Sequence, residues 1–158
     1  MSSTGLDVFD KTLQTTHTWL NEIGACDGIG PDKQRAYHAL RAVLFALRDR
    51  LTVEVAAHLG AQLPILVRGI FWDGYRPAGK PERIRTQAEF LAKVAEHLGR
   101  IGPIDPRDAA RAVFRVLDRH VPRGEMDEVK QQLPEEIRVL FPGETGGSET
   151  VSDQVRAS

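Results

Sequence analysis

Cysteine is nearly absent from this chain. Cys26 is the single one among 158 residues, so neither an intramolecular disulfide nor a cysteine-based zinc cage can form. An excess of charge of one sign is missing too: 21 lysines and arginines stand against 22 aspartates and glutamates. The resulting net charge of −1 gives no overall field toward nucleic acid or an anionic membrane. No apolar run approaches the roughly 20 residues that cross a bilayer. Residues 1–10 lack a basic stretch followed by an apolar one, as a signal peptide requires. These absences predict a soluble cytoplasmic protein. Aromatic residues are few, at 6%, so any place where they gather is informative. Arginine is the exception to this sparseness: sixteen arginines against five lysines, a bias expected of a GC-rich bacterial genome.

What the chain does contain is a repeat. Residues 39–71 set against 109–141 without gaps match at ten positions. These include Ala39/Ala109, Arg41/Arg111, Val43/Val113, Leu47/Leu117, Gln62/Gln132, Leu63/Leu133, Pro64/Pro134, Arg68/Arg138 and Phe71/Phe141. Internal repetition fixes architecture before any other signal. It predicts an all-α protein, an internally duplicated helical bundle of about eight helices in two four-helix repeats. The expected layout is 5–75 for the first repeat, 76–82 for a linker, 83–142 for the second repeat and 143–158 for a disordered tail.

Helical periodicity holds throughout, with no period-two strand. Phe9, Leu13, Leu20 and Ile23 fall on one face of the first helix and predict its core side. Pro31 is placed in the first turn of the second helix, which carries Leu40, Val43, Leu44 and Leu47. Thr52 is a plausible N-cap for a third helix ending near Gly60, and a fourth runs from about Pro64 to Gly74. Arg76-Pro77-Ala78-Gly79-Lys80-Pro81 cannot continue a helix. Thr86 and Glu89 form a capping box for the fifth helix, and Asp105 with Pro106 opens the sixth.

The segments Arg35-Ala36-Tyr37-His38-Ala39-Leu40-Arg41-Ala42-Val43-Leu44, Gly60-Ala61-Gln62-Leu63-Pro64 and Arg68-Gly69-Ile70-Phe71-Trp72-Asp73-Gly74-Tyr75-Arg76-Pro77 carry a resemblance. Through them the stretch from Phe9 to Phe141 resembles a bacterial family defined by domain of unknown function 2267. The resemblance implies an all-helical fold and supplies no activity, cofactor or catalytic residue.

Two surface features are candidate partner-binding sites. Arg107, Arg111, Arg115 and Arg119 recur every four residues on the sixth helix. At 100° per residue they drift only 40° per step and share one wedge opposite Val113, Val116 and Leu117. Guanidinium groups pair with carboxylates in bidentate fashion, so this wedge suits an acidic protein partner. The competing reading is a solvated face partly neutralised by Asp108 and Asp118. The second feature is Trp72, Asp73, Tyr75 and Arg76, an aromatic turn that the second repeat lacks. It serves either as a clasp between the repeats, which is the favoured reading, or as an exposed hot spot. In the clasp, Arg76 lies along the aromatic face or pairs with Asp73.

Other constellations are incomplete. Residues 51–60 look like the first helix of a helix-turn-helix, but Ile65, Leu66 and Val67 follow where base-reading polar groups belong. In the repeat Glu135 and Glu136 stand where phosphates would lie, so nucleic acid is not expected as a partner. Five histidines form neither a Glu-x-x-His pair nor a His-Glu-x-x-His signature, and no metal or cofactor is expected. Cys26 sits beside Asp27, whose charge raises a thiol pKa. The residues thus predict a non-enzymatic protein-interaction or regulatory module. The alternative is a bundle that holds a small apolar ligand or cofactor between its repeats.

Overall fold

A computed structural model describes residues 3–100 and 102–143; the predicted tail beyond 143 lies outside them. Among the described residues there are eight α-helices and no strand. They are α1 (Asp7–Gly24), α2 (Lys33–Arg50), α3 (Val53–Ala61), α4 (Ile65–Trp72), α5 (Gln87–Leu98), α6 (Pro106–His120), α7 (Arg123–Gln132) and α8 (Glu135–Arg138).

The helix starts follow local chemistry. Thr52 accepts from the Val55 amide, Thr86 from the Glu89 amide and Asp105 from the Arg107 amide, each satisfying a donor that has no partner within the helix. Pro106 occupies the first turn of α6 as expected. Pro31 does not open α2: Asp32 caps that helix by accepting from the Gln34 amide, so the helix begins one residue after the aspartate.

At the centre α2 packs against α6, and each also lies against α1 and α5. Helix α3 meets α7, α4 rests on α1, α2 and α3, and α8 rests on α5. Along α2 every residue from Ala42 to Leu47 is buried, because helices cover it on several sides. Helix α6 buries Ala109, Ala112, Val113, Phe114, Val116 and Leu117. Phe114 stacks on Phe141 at 4.0 Å between ring centres and tilts against Phe90 at 5.8 Å.

Arginine forks tie the connections down, which gives the arginine bias a geometric use beyond codon choice. Arg35 donates to the carbonyls of Ile29 and Pro103, joining the loop before α2 to the loop before α6. Arg68 donates to the carbonyls of Gly60, Ala61 and Leu63, which closes the C-terminus of α3. Arg50 reaches the Ile84 carbonyl, and the Glu82 amide donates to the Asp49 carbonyl, so the linker runs bound along the end of α2. Gly28 permits one close approach. Its φ is +87°, and a Cβ there would stand 2.2 Å from a carboxylate oxygen of Asp108.

Candidate functional site: an apolar groove on the first half

The first helix corrects its predicted face. Thr16, Trp19, Leu20 and Ile23 are buried, whereas Phe9 is 51% exposed and Leu13 is exposed as well. The 100° arithmetic puts Phe9 and Leu13 in line with Leu20, but the N-terminal turns of α1 meet only part of α4. There the apolar stripe opens to water. It faces Ile65 and Leu66 at the start of α4, of which Ile65 is 55% exposed.

Together these residues enclose a groove of about 560 Å³. Phe9, Thr12 and Leu13 form one wall, Tyr37 and Arg41 come from α2, and Ile65, Leu66 and Ile70 form the other wall with Asp73 at the edge. Gly69 also lines it, which lets the groove run close to the α4 backbone. Thr12 Oγ1 accepts from the Leu66 amide at 3.0 Å, so α1 supplies the side-chain cap that Pro64 cannot give α4. Arg41 stacks its guanidinium over Phe45, 4.5 Å from the ring centre, and has no carboxylate partner among the described residues. The groove is therefore largely apolar, with the Arg41 cation at its side and the Asp73 carboxylate at its edge. Large apolar side chains gathered at one exposed place mark a binding surface more often than chance exposure does.

The predicted site residues are distributed elsewhere. Trp72 is half-buried, edge-on to Phe71 and Tyr75 at 4.9 Å each, and its indole edge covers Gly60. These ring partners all belong to the first half. Arg48 holds it: one guanidinium nitrogen donates to the carbonyls of Phe71 at 2.7 Å and Asp73 at 2.6 Å. The same guanidinium sits 4.0 Å over Phe45 and 5.6 Å from the Tyr75 ring. The expected Arg76–Asp73 pair is not among the ion pairs of the described residues, and Arg76 is exposed. Burial pushes the Tyr75 phenol upward, helped by the nearby Asp49 charge. Of this turn, only Asp73 belongs to the groove.

Arg107, Arg111, Arg115 and Arg119 are all exposed on α6, as the spacing predicts. Two of them have side-chain partners within the chain. Arg119 pairs with Glu22 at 3.0 Å and Arg107 donates to the Gln87 side chain. Asp118 instead pairs with Lys130, and Asp108 lies against Gly28. Glu22 also meets His120, which stacks on Trp19 at 5.2 Å. Beside this cluster Cys26 lines a small recess of about 160 Å³ with Arg115 and Arg119. Burial is the main cause that raises its thiol pKa, Asp27 and Glu22 add to it, and Arg115 opposes it. Such a thiol is a poor nucleophile at neutral pH.

Histidines divide between the surface and the core edge. His58 Nδ1 lies 2.8 Å from a carboxylate oxygen of Glu128, joining α3 to α7, and this contact raises its pKa. His97 stands edge-on to Phe45 at 5.4 Å, where burial lowers its pKa. Among the described residues no three His, Cys, Asp or Glu side chains gather as a metal site, and no helix is long and apolar enough to cross a membrane.

The family model for an uncharacterized conserved protein, DUF2267, matches residues 16–140. The chain belongs to this family. The matched span takes in Tyr37, Arg41, Ile65, Leu66 and Asp73 of the groove, while the Phe9 to Leu13 wall precedes it. Among curated proteins none matches the chain significantly.

Sequence reasoning missed the groove, although one signal for it was legible. In the repeat alignment Ile65-Leu66 stands against Glu135-Glu136, and Tyr37 against Arg107. Apolar residues aligned with charged ones at exposed positions are not core residues.

Proposed function

We propose that this DUF2267 protein is a non-enzymatic, cytoplasmic protein-interaction module, built by duplication of a four-helix unit, whose working surface is the groove of the first half. The carrying observation is the convergence of Phe9, Leu13, Ile65 and Leu66, all exposed, on one open groove. An open apolar groove between helices suits the apolar face of an amphipathic helix, whose side chains at i, i+3, i+4 and i+7 fill it in a row. Duplication is supported by how helix contacts exchange. Replacing α1, α2, α4 by α5, α6, α8 turns the pairs α1–α2 and α1–α4 into α5–α6 and α5–α8, and α2–α6 and α3–α7 are their own images.

The arginine face of α6 is a weaker candidate for the partner surface, since Arg107 and Arg119 already have neighbours within the chain. A second reading, a small apolar ligand, draws on the groove volume, which falls within the roughly 300–1,000 Å³ of small-molecule sites. Its place would then be within the first half rather than between the repeats.

The test is a fluorescence anisotropy titration of a labelled, designed amphipathic helix against the full chain. Saturable binding, weakened at least tenfold by Ile65→Glu with Leu66→Glu and unchanged by Arg111→Ala with Arg115→Ala, is expected. Equal affinity for the wild type and the groove variant would defeat the proposal.

A further inference from the structure

The reading of the groove as a protein-docking surface is the base of this inference, which names the occupant. We propose that the groove receives the N-terminal tip of α1 from a second copy of this chain, two copies exchanging tips across a two-fold axis.

The tip has the shape of a ridge. Leu6 is 52% exposed and Val8 51%, yet neither lines the groove of its own chain. Phe9 and Leu13 fall within 40° of each other on α1, and the exposed Leu6 immediately precedes the helix as its N-cap residue, so apolar surface extends from the groove wall to the tip. Ridge and groove therefore occupy one face. A face that carries both is self-complementary, which is the condition for an isologous contact.

Charge favours the same occupant. Asp7 lies on the tip beside Leu6 and makes no ion pair among the described residues. Arg41 lines the groove with Asp73 at its edge, and among the described residues it makes no ion pair. Across a two-fold axis the Asp7 of each copy meets the Arg41 of the other, so both unpaired charges are satisfied twice. The tip is also ordered in advance. Asp10 accepts from the Thr4 amide at 3.0 Å and the Thr4 hydroxyl at 2.7 Å, folding the leading residues back on the first turn. Less conformational freedom is then lost on association.

The area is adequate. Leu6, Phe9, Leu13, Ile65 and Leu66 leave on the order of 500 Å² in water per copy, so covering them on both copies buries about 1,000 Å², near the lower bound for a specific interface. Association also closes at two. The second half has Glu135, Glu136 and Arg107 in place of Ile65, Leu66 and Tyr37, so the apolar lining is not repeated there, and a two-fold exchange uses both grooves and both tips.

The experiment is sedimentation velocity of the full chain over a wide concentration range, with circular dichroism melts to verify that each variant is folded. Expected is a species of twice the 17.5 kDa chain mass. Leu6→Glu, Leu66→Glu and Arg41→Asp should each raise its dissociation constant at least tenfold, and Asp7→Arg combined with Arg41→Asp should recover it. A chain that stays at 17.5 kDa throughout, or a dimer that none of these variants weakens, overturns the proposal. Failure of the charge exchange to recover association overturns the Asp7–Arg41 pairing. A monomeric chain that still binds the amphipathic peptide in its groove rejects only the second copy as occupant. A monomeric chain that binds no peptide rejects both the occupant and the docking surface.

Discussion

At the start of α4 the first half turns Ile65 and Leu66 to water, and seventy positions later the second half has Glu135 and Glu136 at the start of α8. Around them the surroundings diverge in step. In the first half Thr12 caps α4 through the Leu66 amide and leaves the groove beside it open. In the second, Gln87 donates from its side chain to the Glu136 carbonyl and accepts from Arg107, so polar groups close the corresponding place. The buried framework differs far less: Val43 and Val113, Leu63 and Leu133, and Phe71 and Phe141 are buried alike. Two halves can share a packing plan because the core constrains volume, while an exposed helix start is constrained only by what it must contact. At this surface the change is from apolar to charged side chains, and that change is what marks the groove.

The largest expected effect lies in the core, where the halves are most alike. Phe114→Ala removes a ring stacked between Phe141 and Phe90 and should cost about 4 kcal/mol in urea unfolding. Leu44→Ala, at the aligned buried position in α2, should cost about 3 kcal/mol. Equal values within error would be compatible with a shared plan, whereas a loss below about 1 kcal/mol at either site would contradict it.

A smaller effect separates the turns that follow the short helices. Arg48, 5% exposed, holds two carbonyls of the aromatic turn, and its aligned counterpart is Asp118, paired with Lys130 near the surface. Arg48→Ala strands buried carbonyls and should cost about 3 kcal/mol, while Asp118→Ala should cost less than about 1 kcal/mol. Chemical denaturation of the pair measures this asymmetry directly. Similar losses at both positions would remove it.

The smallest effect concerns the contact that joins the halves through α3 and α7. His58 has its pKa raised above the ordinary value of 6.5, chiefly by its hydrogen bond to Glu128. Protonated His58 therefore favours the folded state. Its contribution is fully present below the unfolded pKa and disappears as pH rises through the raised folded value. Glu128→Gln should thus lower the melting temperature at pH 5.5 and leave it unchanged at pH 8.5. A difference that grew with pH would reverse the sign of this argument.

Much of the frame was legible in the residues. Capping side chains at Thr52, Thr86 and Asp105 announce helix starts, and the three- and four-residue apolar spacing of α2 and α6 marks their buried faces. The groove was harder to see for a physical reason: periodicity reports which residues share a face, not whether another element covers it. Phe9 and Leu13 satisfy the same spacing as Leu20 and Ile23, yet only the latter pair is buried. Arg48 was missed for the opposite reason. An arginine near a helix end reads as solvated, and its burial depends on Phe45, Tyr75 and two carbonyls that the fold brings together from as far as residue 75. Trp72 and Tyr75 stand out in a chain poor in aromatics, and their rings meet edge-on at 4.9 Å.

The central claim is that the first half alone carries the interaction surface, and methyl-resolved NMR of the full chain tests it most directly. With isoleucine and leucine methyls labelled, the designed amphipathic peptide should shift Leu13, Ile65, Leu66 and Ile70 and leave Leu133, Ile137 and Leu140 in place. Shifts centred on the second-half methyls, or none at saturating peptide, would contradict the account.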